Sequence, residues 1–113
     1  MPRDPSLYLI DIQEAIERIR ENPAGMNSQE FRKDRKTPDA VVRNLEIIGE
    51  ASKSLPPQTK ELAPDVEWRK VAGLRDILSH EYFGVDVDIV WDVIQNKLPG
   101  LLRAVERLLE STS

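Results

Sequence analysis

Apolar residues recur at steps of three and four along most of this chain, which places them on one face of a helix. The pattern predicts helices over residues 6–21, 37–55, 66–78 and 86–109. No stretch alternates polar and apolar residues between turn signals, as a half-buried strand does. The sequence therefore predicts an all-α fold, an up-down bundle of four principal helices in a single domain over residues 1–113.

The apolar stripes predict the core. They comprise Leu9, Ile12, Ile16 and Ile19 in the first helix, Val41, Leu45, Ile48, Ala51 and Leu55 in the second, and Val71, Leu74, Ile77 and Leu78 in the third. The stripe of the last helix runs almost continuously from residue 89 to residue 109 and is wide for so small a bundle. We therefore expect a second copy of the chain to cover part of it, in a homodimer.

Prolines and capping residues predict where the second helix begins and ends. Thr37 is expected to cap it, with Pro38 at the first helical position, and Pro56 and Pro57 stop it. Residues 58–66 are read as a polar connection with one helical turn at most.

The last helix contains a proline. Pro99 lacks a backbone N–H, so the helix is expected to kink near Asn96. Asp86 or Asp88 is expected to cap this helix at its start.

The composition excludes several classes of protein. The chain has no cysteine, which excludes disulfides, thiol nucleophiles and cysteine-ligated metal sites. No apolar run is long enough to span a membrane, and the N-terminus lacks a signal-peptide layout, so a cytoplasmic protein that binds no membrane is expected. The net charge of −4 argues against non-specific nucleic-acid binding. The basic run over residues 32–36 is an exception, and it is either a solvated segment or a phosphate-contact patch.

The sequence predicts neither a metal site nor a cofactor. His80 is the chain's single histidine, so a metal site would need aspartate and glutamate ligands. Their spacing matches no calcium or zinc loop, and no glycine-rich phosphate loop occurs.

One cluster of residues could carry chemistry. Arg75 is followed by four residues, then His80, one residue, and Tyr82. Arginine carries a permanent charge and a planar fork that matches phosphate oxygens, and histidine transfers protons near neutral pH. A lone histidine near a helix end is nevertheless more commonly structural.

Helical geometry limits how Arg75 and His80 can cooperate. Five residues apart, they lie about 140° from each other around an unbroken helix. Either the helix ends between them, for which Ser79 makes an end near residues 79–80 reasonable, or the site combines two subunits.

These residues resemble the signature of the HepT-like toxins of the HEPN superfamily. Residues 39–51 resemble the long-helix motif of those toxins, residues 67–75 the approach to their catalytic segment, and residues 82–86 the exit from it. The resemblance extends over roughly residues 5–110. Asp76 stands where the family usually has asparagine.

The resemblance implies a metal-independent endoribonuclease toxin. Such toxins are homodimers in which two Arg/His pairs line a shared cleft, which assigns the catalytic roles here to Arg75 and His80. They are encoded with a nucleotidyltransferase antitoxin that attaches AMP to the motif tyrosine, here Tyr82. The competing interpretation is a non-catalytic helical partner or substrate subunit of a nucleotidyltransferase, and a third is an unrelated helical scaffold.

Other residues are candidates for the cleft or for orienting the catalytic pair. They are Asp76 and Ser79 within the signature, and Arg43, Asn44, Glu46 and Glu50 in the long-helix motif. The two glutamates either pair at the surface or between helices, or they orient Arg75. Arg43 and Asn44 are equally well explained by helical exposure.

Aromatic and acidic residues near the signature have expected places as well. Trp68 and Trp91 are expected in the core or a dimer contact rather than stacked on bases. Four acidic residues are expected to face away from the cleft: Glu81, Asp86, Asp88 and Asp92.

Overall fold

The computed structural model describes residues 4–21, 29–30, 36–80 and 87–112, and their side chains except those of residues 36–39, 75–80, 87–89 and 112. The helices are α1 (Pro5–Glu21), α2 (Lys36–Ser54), α3 (Pro57–Glu61), α4 (Trp68–His80), α5 (Val87–Asp92) and α6 (Leu98–Thr112). A π-helical turn over Val93–Lys97 joins α5 to α6. These residues include no strand, and the prediction of an all-α fold is confirmed.

The core lies between α2, α1 and α6. Helix α2 packs against both α1 and α4, and α1 also packs against α6. Every residue of the stripes predicted for the first two helices is buried. In α4 the prediction was only partly right, because Val71 and Leu74 pack against the core but remain half-exposed. The side chains of Ile77 and Leu78 lie outside the described residues.

Asp4 caps helix α1. Its Oδ1 accepts hydrogen bonds from the Ser6 amide at 2.9 Å and from the Ser6 hydroxyl at 2.8 Å. The bond from the Ser6 backbone, and then that from its side chain, lower the pKa of the Asp4 carboxyl. Pro5 follows at the first helical position, where a missing N–H costs nothing. The helix therefore begins one residue earlier than predicted.

Helix α2 begins at Lys36, so the prediction that Thr37 caps it was wrong. Thr37 and Pro38 both lie inside the first turn, where backbone N–H groups have no partner within the helix and a proline is tolerated. The helix ends at Ser54, before Pro56 and Pro57, as predicted. The single helical turn allowed in the connection is present as α3.

The irregularity predicted near Asn96 takes the form of the π-helical turn. The amide of Leu98 donates to the carbonyl of Val93, five residues earlier. Pro99 follows as the second residue of α6, directly after the last residue whose amide bonds into the π-helical turn. Asp88 lies inside α5 and is not its cap, because that helix already begins at Val87. Asp86 lies outside the described residues.

Two contacts fix the segment that leads into α4. The indole Nε1 of Trp68 donates to the carbonyl of Ala63 at 3.1 Å. The guanidinium of Arg107 in α6 lies 3.1 Å from the carboxylate of Asp65. The start of α4 is thus tied to the preceding turn and to the last helix.

Candidate active site

The backbone of the signature segment is helical through His80. Helix α4 runs without interruption from Trp68 to His80 and so includes Arg75, Asp76 and Ser79. The alternative of a helix end between Arg75 and His80 is therefore wrong. The side chains of these signature residues, and all of Tyr82, lie outside the described part of the chain.

The unbroken helix separates the two candidate catalytic positions. The Cα atoms of Arg75 and His80 lie about 140° apart around the helix axis and about 7.5 Å apart along it. This separation favours the remaining alternative, in which two copies of the chain contribute to one site.

Asn44 is buried, contrary to the interpretation that it is merely exposed on a helix. Only 8% of it is accessible to solvent. Its Nδ2 donates to the carbonyl of Ala40 at 3.0 Å, and its Oδ1 accepts from Nη1 of Arg18 at 3.4 Å. Asn44 therefore links α2 to α1. Arg43 is exposed, which is compatible with both interpretations of this residue.

The two glutamates of the long-helix motif lie on the helix that packs against α4. Glu46 is half-buried and Glu50 is exposed. Among the described residues neither carboxylate makes an ion pair, so surface pairing with those residues does not explain them. Their predicted role in orienting Arg75 concerns a side chain outside the description.

The tryptophans occupy structural positions. Trp68 is buried in the core, which confirms the interpretation of this residue as a core anchor. Trp91 is half-buried and packs against the same core.

The charged segments around the signature are only partly described. Asp92 is exposed, and its Oδ1 accepts a hydrogen bond from Asn96. Glu81 and Asp86 lie outside the described residues, as does the side chain of Asp88. The same holds for residues 32–35 of the basic run.

A groove that the sequence analysis did not predict lies beside the first half of α4. It has a volume of about 470 Å³ between α4 and the π-helical turn. Half-buried Val71, Leu74 and Val93 line it, with Lys70 and Lys97 among its charged residues. The apolar residues Val90, Ile94 and Leu98 lie four positions apart. This spacing was the only sequence signal of the π-helical turn that forms one wall of the groove.

The groove contains one close ion pair. Nζ of Lys70 lies 2.8 Å from the Glu67 carboxylate. The hydrogen bond from Lys70, followed by its charge, lowers the pKa of Glu67, and the same contact raises the pKa of Lys70. The more distant charge of Lys97 acts on Glu67 in the same direction.

Neither a membrane-spanning helix nor a cluster of metal-binding side chains occurs in the described residues. None of their helices is long and apolar enough to cross a membrane. They also contain no group of three or more histidine or acidic side chains arranged to hold a metal ion.

Comparison with known proteins identifies the family. The model of the family described as "Ribonuclease HepT-like" matches residues 12–108. A protein of Thermococcus cleftensis named "Probable ribonuclease HepT" is 46% identical over 108 residues, which cover 96% of this chain and 98% of that protein.

Further relatives carry similar names. Proteins named "Putative RNase" from Methanocaldococcus jannaschii and Caldanaerobacter subterraneus are each 41% identical to this chain. The matches cover 97% and 96% of this chain, and 92% and 96% of the respective relatives. No solved structure matches the chain. The helical fold, the signature in α4 and these matches together show that the chain belongs to the HepT-like ribonuclease family.

Proposed function

We propose that this protein is a metal-independent endoribonuclease that cuts RNA with Arg75 and His80 in a cleft between two subunits. We further propose that it is the toxin of a toxin–antitoxin pair and is neutralised by attachment of AMP to Tyr82. Membership of a ribonuclease family is the observation that carries the proposal. The unbroken course of α4 supports the two-subunit cleft, because one helix separates the two positions by about 140°.

RNA supplies its own nucleophile, so the chemistry needs only proton transfer and charge stabilisation. The 2′-hydroxyl loses its proton to one His80 imidazole and its oxygen attacks the adjacent phosphorus. The bond from phosphorus to the 5′-oxygen then breaks, and a second imidazole, from the other subunit, protonates that oxygen. Arg75 holds the phosphate and stabilises the negative charge that builds on its oxygens. The products are a 2′,3′-cyclic phosphate and a free 5′-hydroxyl.

The primary test compares RNA cleavage by the wild type with cleavage by His80→Ala and Arg75→Ala. Both variants should lose at least about a hundredfold in rate, since a general acid–base group and a group that stabilises transition-state charge each typically contribute that much. Arg69→Ala is the matched control, because it removes an exposed arginine from the same helix and should cut like the wild type. The activity should survive EDTA, and the product ends should carry cyclic phosphates. Equal cleavage by all variants would mean a contaminating nuclease.

The proton-transfer role of His80 can be tested separately. Because the chain has a single histidine, its imidazole resonances can be followed by NMR without assignment. The rate should depend on pH as a bell whose inflections match that titration, since one imidazole must be neutral and the other protonated. A pH profile that does not change near this titration would contradict the assignment.

The regulatory part of the proposal has its own measurement. Incubation with a nucleotidyltransferase of the antitoxin type and with ATP should add AMP to wild type and not to Tyr82→Phe, as read by mass spectrometry. RNA cleavage should then fall in the wild type alone. AMP addition to a protein without any prior ribonuclease activity would instead favour the non-catalytic substrate subunit.

A further inference from the structure

We propose that the groove between α4 and the π-helical turn binds a nucleotide of the RNA substrate next to the scissile phosphate. The inference rests on the proposed ribonuclease function and adds to it a substrate-binding subsite. The groove has a volume of about 470 Å³, within the usual range for small-ligand pockets.

The position of the groove connects it with the catalytic segment. Leu74 lines the groove and directly precedes Arg75 in α4. Val71 lies about one helical turn before Arg75, at a distance of about 6 Å along the helix axis. An RNA strand with one phosphate at Arg75 can therefore place a neighbouring nucleotide over these two side chains.

The groove combines the two surfaces that a nucleotide needs. Its apolar side is formed by Val71, Leu74 and Val93, which remain half-exposed and can contact the flat face of a base. Its charged side includes two carboxylates that already have ion-pair partners. Glu67 pairs with Lys70, and Asp65 pairs with Arg107. Within the described residues, Lys97 has no carboxylate within ion-pair distance, so its ammonium is available for a phosphate.

The π-helical turn gives this wall its shape. Val93 and Lys97 are its first and last residues, and both line the groove. π-Helical turns inside α-helices occur frequently at functional sites. The turn thus places one apolar and one cationic side chain on the wall that faces α4.

The test measures binding of a short fluorescein-labelled 2′-O-methyl RNA by fluorescence anisotropy. This probe has no free 2′-hydroxyl, so binding is measured without cleavage. Lys97→Glu should raise the dissociation constant about three- to tenfold, the size expected when one exposed charge contact becomes repulsive. Lys53→Glu, the same charge change at an exposed lysine of α2 outside the groove, is the control and should stay within about twofold.

A second pair of variants tests the apolar side. Val93→Phe narrows the groove without changing charge and should also weaken binding, whereas Ile47→Phe, at a half-buried position of α2 outside the groove, should not. In cleavage assays both groove variants should raise KM and leave kcat unchanged. Circular dichroism confirms that each variant is folded.

The inference is overturned if wild type does not bind the probe, or if the groove variants bind it as their controls do. It is also overturned if sedimentation shows that Val93→Phe dissociates an oligomer while Lys97→Glu binds RNA normally, because a second copy then covers the groove. Failure of the proposed function looks different: His80→Ala then cleaves RNA as fast as wild type, whatever the binding results.

Discussion

Ser52 is a polar side chain in the middle of an apolar core. It is completely buried in α2, and its hydroxyl has no hydrogen-bond partner among the described residues. A buried polar group without a partner costs about 1–3 kcal/mol. Ser52→Ala should therefore raise the free energy of unfolding by about 1 kcal/mol, measured by urea denaturation, since alanine also favours the helix.

The matched control is Ser54→Ala in the same helix. The Ser54 hydroxyl is exposed and donates to the carbonyl of Glu50 at 3.1 Å, so its removal should change stability by less than about 0.5 kcal/mol. A destabilised Ser52→Ala would show that the hydroxyl has a partner in solution.

Single-residue roles were the hardest features to predict from the sequence. The stripe of α1 was recognised because Leu9, Ile12 and Ile16 repeat with the helical period. The sequence did not predict that Asn44 is buried and bonds to another helix. Its partner Arg18 lies 26 residues away, and no local pattern connects the two. Asp4 was missed although aspartate before proline is a recognisable start signal.

The π-helical turn keeps three buried side chains on one side of the last helical segment. Val90, Ile94 and Leu98 are all buried and lie four residues apart. In a regular α-helix these eight residues would rotate about 80° beyond two full turns. A π turn has more residues per turn, so it keeps all three side chains directed into one core.

This explanation predicts that the turn does not depend on Pro99. Pro99→Ala should keep the π-helical conformation of residues 93–97, as read from backbone NMR shifts. The free energy of unfolding should change by less than about 1 kcal/mol, because the missing N–H of Pro99 falls directly after Leu98, where the hydrogen bonds change from the five-residue steps of the π-helical turn to the four-residue steps of α6. A gain near 3 kcal/mol, the usual cost of a proline in a helix interior, would instead mean that Pro99 imposes the turn.

At the scale of elements, the sequence predicted where helices form better than it predicted which helices pack against each other. The third stripe was read as buried, yet Val71 and Leu74 are half-exposed. Periodicity identifies the apolar face of a helix, but it does not say whether another helix of the same chain covers that face. The groove beside α4 was unpredictable for the same reason.

For the whole molecule, the proposed cleft with one imidazole from each subunit predicts that a dimer needs both copies of His80. Mixed dimers of wild type with His80→Ala keep a single imidazole, so they should lose at least about a hundredfold in RNA cleavage rate. The measurement is cleavage by mixed dimers isolated through two different affinity tags.

The reverse result also has a defined meaning. Mixed dimers that keep about half of the wild-type rate would show that each subunit cuts RNA with its own His80 alone. Mixed dimers of wild type with Arg69→Ala are the control and should cut like the wild type.

The anchoring of α4 has a mechanical consequence. Trp68 fixes the first residue of this helix to Ala63 through the 3.1 Å hydrogen bond, and His80 is the last of its 13 residues. The helix is about 18 Å long, so a tilt of about 5° about its first residue displaces its last residue by roughly 1.5 Å. Displacements of that size are enough to impair catalysis. Under the proposed function, the position of the catalytic histidine therefore depends in part on the opposite end of the helix, where Trp68 is bound to the preceding turn.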